Sequence, residues 1–331
     1  MQPMASPAQI FASAQSTSDL VKNAMKSAAT TKGLKLKKAI PVDQFLLALL
    51  EHAVGDEGQR HTASVVLAAK GDTKALVEAA RVWMEEMIFP CEWLAHLFYT
   101  NRDLSRTVKA AALHRGDGVS GEETPSSDDG GKAICFRRPL SADTEEMHRI
   151  VEERDAHNCA LSGRGSSSGA STLPPIATSI LPSVLHSFAD GKEELSARSW
   201  ELIRNWGSFD LQNLTAGPTN TFLLRIDLIR TFKHFAWWFQ ATDEPHKYRI
   251  MTHLSNFPFS NKRVTFKDHS DSNIPLPDPQ IFKLHAALSR VLYASGAGEY
   301  FDQVWRSAAN LGVLKEDGSS DIGALLSALA L

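Results

Sequence analysis

Apolar positions recur at helical spacing through the amino-terminal third of the chain. In PVDQFLLALLEHAV, Phe45, Leu46, Leu49 and Leu50 follow a 3.6-residue period, with Pro41 suited to the first turn and Gly55 to the stop. RHTASVVLAAK repeats the pattern up to Gly71. Asp72 then stands as a cap before TKALVEAARVWMEEMIF, where Leu76, Ala79, Ala80, Trp83 and Met87 share one face. Pro90 predicts a break, after which CEWLAHLFYTNRDLSRTVKAAAL continues as one or two more helices. Residues 1–40 read as a flexible segment, small-residue-rich up to about residue 18, with a short helix starting from Asp19 and the basic run KGLKLKK beyond it; residues 41–113 read as a helical bundle.

The pattern then lapses. HRGDGVSGEETPSSDDGGK has almost nothing to bury and cannot offset its ordering entropy, so 114–140 reads as a mobile linker. Residues 141–305 carry mixed signals. SADTEEMHRIVEERDAHNC opens with a capping signature at Ser141 or Asp143, SARSWELIRNW has helical spacing, and FLLRI and YRIMTHL suit strands. IDLIRTFKHFAWWF fits both periods. DPQIFKLHAALSRVLYAS reads as a helix with Asp278 as cap, Pro279 at its first position, a stripe of Ile281, Leu284, Leu288, Val291 and Leu292, and Gly296 as terminator. Residues 306–331 read as a helical tail. These elements amount to an α+β protein, mostly helical.

Composition narrows the function classes. With 331 residues, 43% of them hydrophobic, the chain can bury a large core, and a formal net charge of -3 at pH 7 does not announce a nucleic-acid binder. Cys91, Cys135 and Cys159 are widely separated, which suggests neither a disulfide framework nor a zinc cage. The amino terminus has no basic-then-apolar leader, and no apolar run approaches the ~20 residues that span a bilayer. An intracellular protein, cytoplasmic or nuclear and without a membrane partner, is the expectation.

Four segments in order, RDAHNCALSG (154–163), ATSILPSVL, NTFLLRIDLIRTFKHFAWWF and PLPDPQIFKLHAALSRVLYASGAGEYFD (275–302), resemble the HNH-nuclease-like domain of large families of fungal proteins. The helices before them resemble the region that precedes this domain in basidiomycete members, so the resemblance spans about residues 40–305. It implies a ββα-metal (HNH-like) region, wrapped by helices, that follows the amino-terminal bundle. In such a site a histidine at the end of the first strand acts as general base, an asparagine orients it, and a histidine on the helix helps hold one divalent cation.

Carried over position by position, the resemblance puts Ser179 at the general-base position, Asn220 at the retained asparagine and Ile229 at the metal-binding histidine, while Lys233 replaces an aspartate. A serine with no base beside it does not deprotonate water, an aliphatic side chain does not ligate a cation, and a lysine repels one. The resemblance therefore implies an endonuclease-like pseudoenzyme, with no metal expected at Ile229, that has a binding or regulatory role toward a nucleic acid or protein partner. Two alternatives stand beside it. One is an active nuclease holding Mg, Mn or Zn through displaced ligands such as His186, Asp190 or His234. The other is a non-cleaving nucleic-acid module that uses Lys262, Arg263 and Lys267. Cys159 reads as a small buried residue, FAWWF as core or interface, and GSSSG around Ser167 as a chance match to a hydrolase elbow because low-complexity sequence surrounds it.

Overall fold

The computed structural model describes residues 6–37, 39–91, 142–163, 175–181, 193–208 and 217–311. Their architecture is α+β and mostly helical, with three small antiparallel sheets. The amino-terminal segment is not loose, as its composition had suggested. Helices α1 (Pro7–Phe11) and α2 (Thr17–Ala28) are capped by Ser6 and Ser16, and α2 buries Leu20, Ala24 and Ala28. That spacing of small residues lets α2 lie close against α4 (Gly55–Ala68). Arg60 on α4 fixes the turn between α1 and α2 by donating to the backbone carbonyls of Phe11 at 2.6 Å, Gln15 at 2.7 Å and Ser13.

A two-stranded ribbon, β1 (Lys35–Leu36) and β2 (Ile40–Pro41), leads into α3 (Val42–His52), for which Pro41 is the cap. Gly55, expected to stop that helix, instead opens the next one with φ 72°. Helix α5 (Thr73–Val82) starts where Asp72 accepts from the Lys74 amide at 2.9 Å. Pro90 does not break the helix that follows. A wide π turn at Trp83–Ile88 carries it through Pro90 to Cys91, since a π turn releases the i→i−4 register in which proline clashes.

In the carboxy-terminal part come α6 (Ala142–Arg154), β3 (Pro175–Ser179), α7 (Glu193–Gly207), β4 (Thr221–Arg225), α8 (Ile226–Lys233), β5 (Trp237–Ala241), β6 (Lys247–Thr252), β7 (Arg263–Thr265), α9 (Pro279–Ala294) and α10 (Ala297–Leu311). The ambiguous stretch resolves into α8 followed by β5. The helix ends in a Schellman turn, with Phe235 at φ 54°, its amide donating to the Phe232 carbonyl at 2.9 Å and the Ala236 amide to the Thr231 carbonyl at 3.0 Å. Helix α9 is capped by Asp278, with Pro279 in its first turn and Gly296 at φ 73° beyond its end.

One hydrophobic core runs through both parts of the chain, from Phe45, Leu49 and Trp83 to Trp206, Phe222, Phe282 and Leu288. The two halves meet tightly. The Trp206 indole donates to the Leu49 carbonyl at 3.1 Å and the Val54 amide to the Trp206 carbonyl at 3.1 Å. Gly58 on α4 passes so near α7 that a Cβ there would stand 2.3 Å from the Trp206 carbonyl oxygen. The expected linker, 114–140, and the tail beyond Leu311 lie outside the described residues. No described helix is long and apolar enough to cross a membrane.

Candidate functional site

Strands β3 and β4 pair antiparallel from Pro175 opposite Arg225 to Ser179 opposite Thr221, and α8 begins at the residue after β4. The alternation of the strands and the stripe of α8 bury Phe222, Leu224, Ile229 and Phe232 on one core. The Ile180 amide donates to the Asn220 carbonyl at 2.7 Å, one step past the ladder. The Asn220 side chain then clamps Leu181 from both sides: its Oδ1 accepts from the Leu181 amide and its Nδ2 donates to the Leu181 carbonyl, both at 2.9 Å. Asn220 is buried, in the turn that Gly217 and Pro218 start, so it holds the chain as it leaves the end of β3.

At that same strand end lies Ser179, and the last residue of α8 reaches it. The Lys233 amine donates to the Ser179 hydroxyl at 2.7 Å and also to the Ser179 carbonyl. Ser179 thus has a basic group beside it, contrary to expectation. Lys233 is 5% exposed and has no carboxylate partner among the described residues, and burial alone lowers its pKa to about 7. Ile229 lies one helical turn before Lys233 and is fully buried. Behind α8, His285 stacks on Phe232 with centroids 4.1 Å apart and on Phe235 at 4.6 Å, and its Nε2 is 3.1 Å from the Phe232 carbonyl. Burial, and then the charge of Lys233, push the His285 pKa down to about 3, so this imidazole stays neutral at any physiological pH.

A buried ion pair adjoins the β3–β4 pair. Arg154 is fully buried; it donates to Asp155 at 2.7 and 3.1 Å, and to the carbonyls of Pro218 at 2.8 Å, Pro275 at 2.9 Å and Thr221 at 2.8 Å. Asp155 also accepts from the Leu223 amide at 2.9 Å. Cys159 is a small buried residue whose Sγ accepts from the amides of Ser162 and Arg225, both at 3.4 Å. These residues of the RDAHNC segment tie α6 to β4 and to the approach to α9.

The remaining candidates divide. His186, Asp190 and GSSSG lie outside the described residues. His234 is the half-buried C-cap of α8. The Lys262 amine donates to the Leu161 carbonyl at 2.7 Å and sits 5.5 Å from the Phe259 ring, so it is engaged within the fold. Arg263 and Lys267 are exposed, on β7 and just beyond it. Phe235, Trp237, Trp238 and Phe239 are buried, which makes FAWWF core. Among the described residues no three His, Cys, Asp or Glu side chains group as metal ligands. At the strand end itself the donors are a hydroxyl and an ammonium beside an aliphatic residue, and this set does not fit a divalent cation.

The chain matches no protein-family model, no curated protein and no solved structure. The chemistry of the site therefore rests on its own geometry. Burial brings the Lys233 amine to titrate near neutral pH, and when charged it fastens the end of β3 to the end of α8.

Proposed function

We propose that this protein is an HNH-like ββα protein that has given up metal-dependent phosphodiester hydrolysis and acts by binding, in a regulatory role. The observation that carries this reading is Lys233. Its amine occupies the end of the hairpin against Ser179, so a positive charge stands where such a nuclease would keep its base and cation. Asn220, which the resemblance makes the retained member of the set, still fastens the same loop. Ile229 and Lys233 lie one turn apart on α8, as the resemblance requires of two site positions.

The test is calorimetric titration with magnesium, manganese and zinc, run beside a plasmid-nicking assay. The natural chain is expected neither to take up metal nor to nick. The triple variant Ser179→His, Ile229→His, Lys233→Asp restores the family's donor types and is expected to gain saturable cation binding. Stoichiometric uptake with nicking by the natural chain would overturn the reading in favour of a nuclease with displaced ligands. Failure of the folded triple variant to bind any of the three cations would overturn the alignment.

A further inference from the structure

At the end of β3 a hydroxyl and an amine meet in a way that folding alone does not require. Ser179 is partly exposed, whereas the Lys233 side chain whose amine lies 2.7 Å from its Oγ is buried. Strand register sets how the two meet. The Ile180 amide donates to the Asn220 carbonyl at 2.7 Å, so Ser179 and Thr221 form the non-hydrogen-bonded kind of antiparallel pair. The Ser179 carbonyl therefore faces away from β4, and there it accepts from Lys233.

A lysine serves as a base when its amine is neutral and its lone pair is aimed at the proton to be taken. Burial with no compensating carboxylate among the described residues supplies the first condition, bringing the Lys233 pKa from 10.5 to about 7. The second follows from valence. A neutral amine has two N–H groups and one lone pair; with an N–H on the Ser179 carbonyl, the lone pair is left to accept the Oγ proton. The 2.7 Å separation is the reach of a nucleophile and its base. His285, packed behind α8, is neutral and engaged with the Phe232 carbonyl, so it does not compete for that proton.

We infer that Ser179 is a nucleophile for acyl transfer, with Lys233 as its general base and a carboxylic ester as the class of substrate. Lys233 takes the Oγ proton as Oγ bonds to the ester carbonyl carbon. Collapse of the tetrahedral adduct breaks the bond to the alkoxide, which leaves with the proton from Lys233 as an alcohol, and the acyl group stays on Ser179. Water then cleaves the acyl-serine through the same relay, releasing the carboxylic acid and restoring the hydroxyl. This chemistry uses no metal and goes beyond the binding role proposed above. It does not rest on the hairpin's likeness to a nuclease, and a failure to nick plasmid leaves it untouched.

The full chain is incubated with p-nitrophenyl acetate; hydrolysis is followed, and acid-quenched samples are mapped by peptide mass spectrometry. Acetyl on Ser179 is expected, with a hydrolysis rate that saturates in ester and rises with pH to a plateau above an apparent pKa of about 7. Ser179→Ala should bring hydrolysis down to the background of exposed amines. Lys233→Met keeps the hydroxyl and removes the base, so acetylation of Ser179 should slow ~100-fold or more and lose that pH dependence. Circular dichroism checks that both variants are folded. Absence of acetyl on Ser179 overturns the inference, as does acetyl carried by Lys233 in its place, or an unchanged rate in the folded Lys233→Met variant.

Discussion

Replacing Lys233 with Met should make the protein more stable at pH 6 and leave it about as stable at pH 9. The ammonium is removed from water at the end of α8 and receives no counter-charge in return, only the Ser179 hydroxyl and carbonyl. Lowering its pKa from 10.5 to about 7 corresponds to ~5 kcal/mol of stability withheld while the group is charged, at about 1.4 kcal/mol per pKa unit. The folded form has the depressed value, so between pH 7 and pH 10.5 the unfolded chain binds more protons and stability rises with pH. Below pH 7 both forms are charged and the whole cost is present. Integrated from pH 6 to pH 9, the gain is about 2–3 kcal/mol.

Methionine keeps most of the stem and removes the charge, but it forfeits the bonds to Ser179, at ~1–3 kcal/mol. The variant should therefore exceed the natural chain by about 2–4 kcal/mol at pH 6, and the advantage should shrink to about zero by pH 9. Urea unfolding of both proteins at pH 6, 7, 8 and 9 measures this, because groups common to the two cancel in the difference. His285, lowered to about 3, does not titrate in that range. A difference that stays constant from pH 6 to pH 9, or grows, refutes the argument that Lys233 is buried as an uncompensated charge.

Two further substitutions probe how the site is held. Asn220→Ala leaves the Leu181 amide and carbonyl buried without partners and should cost about 2–4 kcal/mol in urea unfolding, with Asn220→Asp recovering only the acceptor half of the clamp. Gly58→Ala drives a methyl group to 2.3 Å from the Trp206 carbonyl oxygen, so α4 and α7 must part; a loss of about 1–3 kcal/mol and a change in Trp206 fluorescence are expected, and an unchanged midpoint would show that the two halves are not in close contact in solution.

What the sequence made legible was local. Helix α9 carries its own signals in Asp278, Pro279 and Gly296, and each acts within a few residues of itself. The end of α8 has no such signal, because its Schellman turn places Phe235, not glycine, in the left-handed region at φ 54°. Phe235 is held there by tertiary contacts, its ring stacked 4.6 Å from His285, some fifty residues later in the chain. The same limit hid the order in the first forty residues. Leu20, Ala24 and Ala28 do recur at i, i+4, but small residues read as loose until α4 lies against them.

The hairpin is where this limit bears on function. In the structure Ser179 pairs opposite Thr221, a helix starts after Arg225, and α7 lies in the chain between the two strands. The resemblance treats each site position as a separate loss, however, with Ser179 inert and Lys233 repelling. In space the two substitutions meet at 2.7 Å, across 54 residues of chain, and each explains the other. A lysine at the end of α8 needs oxygen acceptors at the strand end, and a serine there supplies a hydroxyl as well as its carbonyl. A histidine at 179 would place a second basic group beside the Lys233 amine, so that the two could not both be charged without added cost. Restoring that histidine without also removing Lys233 should therefore fail to bring back a cation, because the Lys233 amine occupies the strand end and is charged below about pH 7.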